Sequence, residues 1–204
     1  MIGGYTMCTE TISPGEDSLN IFLVGYGSIG KRHFNNIKFL EPDANITIYD
    51  QNISTFNMFP IGDSFDLGLI CCDTEYHFEY IKKLQNFCKY IFVEKPIHYQ
   101  YIHQMYNCDN VFVGYNYNFQ SGIIKLKQSL PMIGEVLYVE HIGGYYLPMW
   151  RPASDYKKTY SAGKYGGVLL DCIHGINLMR NLFGNPIEKS LKGRIEKLSK
   201  LEIE

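Results

Sequence analysis

The sequence has no apolar run approaching the ~18–20 residues that a membrane-spanning helix needs, so no span is predicted. It also has no dense run of lysine and arginine, and its formal net charge is −2. These absences argue against nucleic acid or an anionic membrane surface as the main partner. The first 20 residues carry three acidic side chains and lack the basic and apolar segments of a secretory signal. We therefore expect a cytoplasmic protein.

The six cysteines form no C-x-x-C pair and have no spacing typical of a metal site. Cys71 and Cys72 are adjacent in an apolar run that is typical of a buried strand. No metal site is predicted, and the cysteines are interpreted as reduced thiols. Hydrophobic residues make up 46% of the chain and charged residues 20%, which predicts a packed core and excludes wholesale disorder.

Short apolar runs alternate with amphipathic stretches between residues 20 and 118. The runs are typical of strands buried on both faces of a parallel sheet, and they lie at 20–25, 45–50, 67–72, 90–94 and 110–114. Helical stretches follow the first, third and fourth runs, the last of them at about 98–107. This alternation predicts a doubly wound α/β domain of the Rossmann type over 20–118, preceded by a leader over 1–19.

The pattern changes after residue 118, and residues 119–204 are predicted to form a partial α+β domain with an antiparallel or mixed sheet. Apolar periodicity predicts helices near 121–130 and over 168–183. Alternating apolar and polar residues predict strands over 134–142 and at the final residues 201–204.

A glycine fingerprint, Gly25-Tyr-Gly-Ser-Ile-Gly30, follows the first predicted strand and opens the first predicted helix. In that context the motif indicates a dinucleotide site. Gly25 would permit the tight turn, Gly27 would let the backbone approach a pyrophosphate, and Gly30 would let the helix pack on the strand. Free N–H groups at the helix start would face the phosphates. The alternative is a glycine turn that binds nothing.

An acidic residue, Asp50, stands at the end of the second predicted strand, 20 positions after Gly30. Its carboxylate would accept hydrogen bonds from the adenosine ribose and repel a 2′-phosphate. The next residues are Gln51 and Asn52, with no arginine to receive that phosphate. The sequence therefore favours NAD over NADP.

Glu94-Lys95-Pro96 follows the fourth predicted strand, at the edge of the sheet where ligands of parallel α/β proteins bind. Lys95 could hydrogen-bond a substrate oxygen and place positive charge near a developing alkoxide. Pro96 would fix the turn, for which a cis bond is one route. The alternative is a surface lysine that forms a salt bridge before a turn.

A carboxylate and an imidazole, Asp171 and His174, stand three positions apart in the helix predicted over 168–183. On a continuous helix both would project from one side, where the carboxylate would raise the basicity of the imidazole. That pair suits a general base acting on an alcohol. The alternative is an early-helix charge beside a hydrogen-bonded core histidine.

A polar, aromatic segment lies between Trp150 and Ser161. Its side chains could line a pocket for a sugar or nucleotide. An ordinary polar loop with one aromatic anchor explains the composition equally well.

Together these motifs resemble the glucose–fructose oxidoreductase / inositol dehydrogenase / MocA family of NAD(P)-dependent oxidoreductases. The resemblance covers about residues 20–204 in order. The matching segments are Gly25-Tyr-Gly-Ser-Ile-Gly-Lys-Arg-His33, Thr74 with His77, Glu94-Lys-Pro-Ile97, Gly114-Tyr-Asn-Tyr117, Leu147-Pro-Met-Trp-Arg-Pro152, Asp155-Tyr156, Tyr160-Ser-Ala162 and Gly166-Gly-Val-Leu-Leu-Asp-Cys-Ile-His174.

The resemblance implies hydride transfer between NAD(P) and a hydroxyl or ketone of a sugar, cyclitol or nucleotide sugar. It implies that Lys95 and His174 handle the hydroxyl proton while Asp171 orients His174. It also implies weaker substrate contacts at Arg151, Tyr156 and Tyr160. The cofactor contacts that it implies are Gly25, Tyr26, Gly27, Ser28, Ile29, Gly30, Asp50, Cys72, Thr74, His77, Glu94 and Lys95.

The sequence departs from the family pattern in four ways. It stops where the second domain of the family continues, and residues 51–66 are short for the usual helix and strand. Asp73 stands where proline is usual, and Asn118 where arginine often precedes Phe119. An incomplete second-domain sheet would expose an edge, which suggests a homo-oligomer. The alternative function is a catalytically inactive NAD-binding or interaction module derived from a truncated member.

Overall fold

The computed structural model of the chain describes residues 18–53, 59, 64–99, 109–150, 152, 155–163 and 166–185. The predicted strand at 201–204, nearly all of the predicted leader and most of the helix predicted at 98–107 lie outside these residues. The chain divides into two compact units. The first comprises the chain up to Tyr115 together with Tyr145–Ile173, and the second comprises Asn116–Gly144 and the chain from His174 onward.

Five parallel strands form one sheet in the order β2-β1-β3-β4-β5. The strands are β1 (Asn20–Val24), β2 (Asn45–Tyr49), β3 (Phe65–Ile70), β4 (Cys88–Val93) and β5 (Val111–Val113). All five correspond to the apolar runs predicted as strands, so the prediction of a parallel α/β sheet is confirmed. Among the described residues no strand lies beyond β2, which leaves β2 at the edge of the sheet.

The sheet is buried on both faces because alternate residues of each strand point to opposite sides. On β1, Phe22 and Val24 belong to one buried cluster, whereas Ile21 and Leu23 belong to another. All four side chains are at most 1% exposed. The continuous apolar run at β1 is therefore explained by packing on two faces.

Two helices follow strands of the sheet: α1 (Ser28–Leu40) after β1, and α2 (Thr74–Leu84) after β3. The apolar side of α1 packs on one cluster through Phe34 and Ile37. The buried side of α2 includes Tyr80, Ile81 and Leu84, which belong to the other cluster. Each helix begins where its strand ends, so both helix starts lie at the carboxyl edge of the sheet.

The remaining elements are short helices and 3₁₀ turns. The helices are α3 (Ser121–Ser129), α4 (Leu147–Trp150), α5 (Val168–Asp171) and α6 (Ile173–Phe183). The 3₁₀ turns are Asn116–Phe119, Leu130–Ile133, Tyr156–Lys158 and Tyr160–Ala162. Across the described residues no helix is long and apolar enough to cross a membrane.

The strand predicted over 134–142 is wrong, because residues 134–146 have no regular secondary structure. Within the described part of the chain no strand follows Val113, so the second-half sheet predicted from the alternation is not seen there. A strand needs a neighbouring strand to satisfy its backbone groups. The apolar side chains of this segment are exposed, with Leu137 at 88% and Ile142 at 86%.

The single helix predicted over 168–183 is also wrong, because it is interrupted at Cys172. The backbone of Cys172 takes φ −92° and ψ 15°, so α5 ends at Asp171. The Cys172 N–H still donates a hydrogen bond to the Val168 carbonyl. The second helix, α6, then begins at Ile173. Asp171 and His174 therefore lie on two different helices.

Candidate functional site

The first glycine of the fingerprint makes the turn that β1 needs at the edge of the sheet. Gly25 has φ +89°, a conformation that L side chains rarely adopt. A Cβ on Gly25 would lie 2.7 Å from the backbone nitrogen of Cys72. A Cβ on Gly30 would overlap the carbonyl oxygen of Gly25. The sequence prediction of a tight turn and a close helix approach agrees with this geometry.

The start of α1 is open to solvent. Gly27 is its N-cap and supplies no side-chain hydrogen bond to the helix. A Cβ on Gly27 would meet no atom within 4 Å, and Gly27 and Ser28 are both exposed. Ile29 and Tyr26 instead pack into the adjacent apolar cluster. The turn therefore presents backbone N–H groups at a helix N-terminus, where anions bind favourably.

Asp50 connects the turns that follow β1 and β2. Its Oδ2 accepts a hydrogen bond from the N–H of Tyr26 at 2.7 Å, and its Oδ1 accepts one from Asn52 at 2.9 Å. The Gly25 N–H also donates to the Tyr49 carbonyl at 2.8 Å. A carboxylate accepts about four hydrogen bonds, so Asp50 retains capacity for further donors.

These turns line a groove with a cavity volume of about 150 Å³. That volume is smaller than the range of about 300–1,000 Å³ typical of whole small-molecule sites, so the groove accommodates part of a dinucleotide. The lining residues are Val24, Gly25, Gly27, Tyr49, Asp50, Gln51, Asn52, Cys71, Cys72, Asp73, Tyr76 and Tyr80. Tyr76 was not predicted as a site residue. The one feature of the sequence that could have indicated it is its place in the first turn of the helix after β3.

Cys72 lies at this groove with its thiol protonated at neutral pH. Burial is the main cause that raises the pKa of the thiol to about 12, and the nearby carboxylates of Asp73, Asp50 and Glu79 contribute to this increase. The four cysteines in the described part of the chain, which include Cys72, are free thiols. Cys72 therefore offers the groove a small, uncharged wall.

Thr74 and His77 are buried at 5% and 1% exposure. His77 Nδ1 lies 2.9 Å from the Pro96 carbonyl oxygen, and Nε2 lies 2.9 Å from that of Cys72. Burial lowers the pKa of His77, against the opposing effect of these carbonyls. Neither residue is part of the groove lining, and a cofactor contact for each stays a prediction.

Glu94 and Lys95 follow β4 in a turn that α1 contacts. Glu94 Oε1 lies 2.7 Å from Nε2 of His33, and Glu94 Oε2 accepts the Lys95 N–H at 3.2 Å. The peptide bond between Lys95 and Pro96 is cis. Lys95 Nζ donates to the main-chain carbonyl of Asp171 at 3.3 Å. The His33–Glu94 pair was not predicted from the sequence, because its partners lie 61 residues apart and no local pattern links them.

In the second unit, His174 lies in the first turn of α6 and stacks on Tyr117. Their ring centroids are 4.9 Å apart and the planes differ by 23°. The neighbouring Asn118 donates to Asn177 at 2.8 Å and accepts from Asn181 at 3.0 Å. Three asparagine side chains are thus linked by two amide hydrogen bonds.

The predicted substrate contacts are only partly described. Arg151 and the side chain of Tyr160 lie outside the described residues, whereas Tyr156 is half-buried in its 3₁₀ turn. Asp171 belongs to the first unit and His174 to the second. The pairing of these two residues, and the approach of His174 to Lys95, stay predictions. Among the described residues no three histidine, cysteine or acidic side chains cluster as a metal site would require.

No protein-family model and no curated protein matches this chain. Solved structures do match, and three of them each align with 82% of the chain. Myo-inositol 2-dehydrogenase from Lactobacillus plantarum is 16% identical, with a TM-score of 0.59 and 57% of its length covered. Scyllo-inositol dehydrogenase from Lactobacillus casei is 18% identical as the apo protein, with a TM-score of 0.55 and 56% covered. The same enzyme with bound NAD(H) and scyllo-inositol is 21% identical, with a TM-score of 0.56 and 57% covered.

The chain has the fold of these dehydrogenases. Because the identities are low, the likeness establishes the fold, which agrees with the one that the motifs implied. The chain spans a little over half the length of these structures.

Proposed function

We propose that this chain binds NAD and transfers hydride between the nicotinamide and a hydroxyl or ketone carbon of a cyclitol, sugar or nucleotide sugar. The observation that carries the proposal is the groove at the carboxyl edge of the sheet. There the open start of α1, the Gly25 turn and the Asp50 carboxylate lie together. This is where open α/β sheets bind dinucleotides.

The described residues fit a dinucleotide. The exposed Gly27 backbone leaves room for a pyrophosphate against the helix start. Asp50 would accept the ribose hydroxyls, and its negative charge would disfavour a 2′-phosphate. Tyr76, which is 36% exposed at the groove, offers an aromatic surface to the adenosine half. NAD is therefore preferred over NADP.

When bound, NAD would supply the hydride acceptor and NADH the donor. Lys95 would hold positive charge beside the substrate oxygen, and His174 would accept or return its proton. Asp171 would orient His174. Arg151, Tyr156 and Tyr160 would contact the substrate. The inositol dehydrogenase with bound NAD(H) and scyllo-inositol supports a polyol as the substrate class.

Titration with NADH, followed by its fluorescence, tests the binding step. Gly27→Glu would place a carboxylate where the pyrophosphate is proposed, and at φ −72° and with open space a side chain there causes no strain. We expect at least about a 30-fold weaker Kd for NADH, because like charges placed next to each other oppose binding. The control is Gly122→Glu, at another open glycine. Equal affinity in both variants would refute the proposed site.

Turnover with NAD and a panel of inositols and sugars tests the chemistry. Lys95→Ala and His174→Ala should each lower kcat by about 10²-fold or more, the usual contribution of a positioned acid or base. Their Kd for NADH should stay near that of the unmodified chain. An equal loss of NADH binding in both variants would contradict the proposed roles.

A second candidate is a catalytically inactive NAD-binding module. It is favoured by one observation, the absence of the expected strand over 134–142. NADH binding without turnover on any polyol would support this module over the enzyme.

A further inference from the structure

The turn that carries Lys95 (residues 94–97) is contacted by one histidine from each of the two helices that follow strands. His33 on α1 reaches Glu94, with 2.7 Å between Nε2 and Oε1. His77 on α2 reaches Pro96, with 2.9 Å between Nδ1 and the carbonyl oxygen. The first contact lies before Lys95 in the chain and the second lies after it. We call these two residues the histidine clamp.

On the side before Lys95, the carboxylate of Glu94 forms a bridge. One oxygen is paired with His33, and the other accepts the N–H of Lys95 at 3.2 Å. The side chains of His33 and Glu94 are only 22% and 18% exposed, so water competes weakly for the pair. A charged carboxylate shortens and strengthens such hydrogen bonds. His33 therefore fixes the group to which the Lys95 backbone is bonded.

On the side after Lys95, the imidazole of His77 faces two carbonyl oxygens, those of Pro96 and Cys72, each at 2.9 Å. A neutral imidazole carries one N–H and can donate to one of them. The contact with Pro96 is buried, whereas the contact with Cys72 is only partly buried. Water can satisfy the Cys72 carbonyl but not the Pro96 carbonyl, and an unsatisfied buried acceptor is costly. The proton is therefore best placed on Nδ1, donating to Pro96.

We propose that His33 and His77 are positioning residues that hold the turn at 94–97 and so determine where the Lys95 ammonium lies. Neither histidine lines the groove, and each reaches Lys95 through a neighbour of that lysine, His33 through Glu94 and His77 through Pro96. The inference rests on the proposed function in one respect: the position of Lys95 matters because Lys95 is proposed to act on the substrate oxygen. The clamp itself is a property of this chain without any ligand.

Amide hydrogen exchange of Lys95, followed by NMR, tests the clamp directly. His33→Leu removes the donor to Glu94, whereas His33→Gln keeps an N–H donor near the position of Nε2. We expect exchange at Lys95 to rise by about tenfold in His33→Leu, since a lost local hydrogen bond permits local opening. It should stay within about twofold of the unmodified chain in His33→Gln. The control is His141→Leu, at an exposed histidine of the second unit.

Two substitutions at His77 test which of its two ring nitrogens holds the turn. Asn places an amide N–H near the position of Nδ1 and Gln near that of Nε2, so His77→Asn should preserve Lys95 exchange and His77→Gln should raise it. A role limited to filling the core would make the two variants alike. If the His77 variants fail to fold, the half-buried His33 series still decides. Unchanged Lys95 exchange in a folded His33→Leu protein would overturn the proposal.

Turnover provides the functional readout. With NAD and scyllo- or myo-inositol, His33→Leu should lower kcat by about tenfold and leave the KM for NAD within about twofold, because a displaced catalytic group costs rate rather than binding. His33→Gln should restore kcat. A chain that binds no NADH would refute the proposed function, while the exchange rates would still decide the clamp.

Discussion

Apolar residues recur both in the sheet of the first unit and in the segment over 134–146, but the two regions differ in whether those side chains are buried. On the sheet, Phe22, Leu23 and Ile91 are fully buried, because helices and neighbouring strands cover both faces. In the segment, Leu137 is 88% exposed and no regular structure forms. A continuous apolar run predicted its strand correctly, whereas an alternating run did not. Alternation indicates only which face would be buried if a partner strand were present.

The largest difference between the two regions should appear on truncating an apolar side chain. Ile91→Ala leaves a cavity in the buried cluster on one face of the sheet and should lower the free energy of unfolding by about 2–5 kcal/mol. Leu137→Ala removes an exposed side chain and should change it by less than about 0.5 kcal/mol. Urea denaturation measures both. A loss above about 1 kcal/mol for Leu137→Ala would mean that the segment is packed in solution.

Glycine-to-alanine substitutions should have opposite signs in the two units. Gly30→Ala would place a Cβ against the Gly25 carbonyl and should destabilise the chain by about 1–3 kcal/mol, since backbone has to move. Gly122→Ala, in α3 with open space around the Cβ, should stabilise by about 0.5–1 kcal/mol because alanine favours helix. Thermal melting measures the pair. Equal shifts would contradict the close approach of α1 to the Gly25 turn.

Local pattern predicted those parts of the fold and site that depend on neighbours in the chain. The five strands, the Gly25 turn and the place of Asp50 after β2 all follow from short motifs. The break at Cys172 was missed because no proline or glycine marks it and the helical periodicity continues through it. The His33–Glu94 pair was missed because its partners lie 61 residues apart. Such contacts are set by the packing of α1 on the sheet, which no local pattern encodes.

The buried His77 should make the stability of the first unit depend on pH. Burial lowers the pKa of its imidazole in the folded chain below the unfolded value near 6.5, despite the carboxylates of Glu94 and Asp73. As the pH falls through about 6.5, the unfolded chain takes up the proton first, so stability is lost. Below about pH 6.5, the decrease in the free energy of unfolding approaches about 1.4 kcal/mol per pH unit.

The measurement is the difference in unfolding free energy between the unmodified chain and His77→Asn from pH 8 to pH 5. The difference cancels the other histidines, which titrate in both proteins. It should be constant above pH 7 and shrink as the pH falls, because the variant has no imidazole to protonate. A difference that grows on acidification would mean that the folded chain binds this proton more tightly, contrary to the effect of burial.

The smallest expected effect concerns cysteine reactivity in the first unit. Cys72 at the groove has a thiol pKa raised to about 12, so about one thiol in 10⁴ is ionised at pH 8. Burial also raises the pKa of Cys172, though by less, and Lys95 opposes the increase. Iodoacetamide should therefore modify Cys172 before Cys72, as peptide mass spectrometry can follow. Only the thiolate reacts with iodoacetamide. If Cys72 were labelled as fast as the thiol of free glutathione, its thiol would have to be exposed to solvent, so the carboxyl edge of the sheet would open in solution.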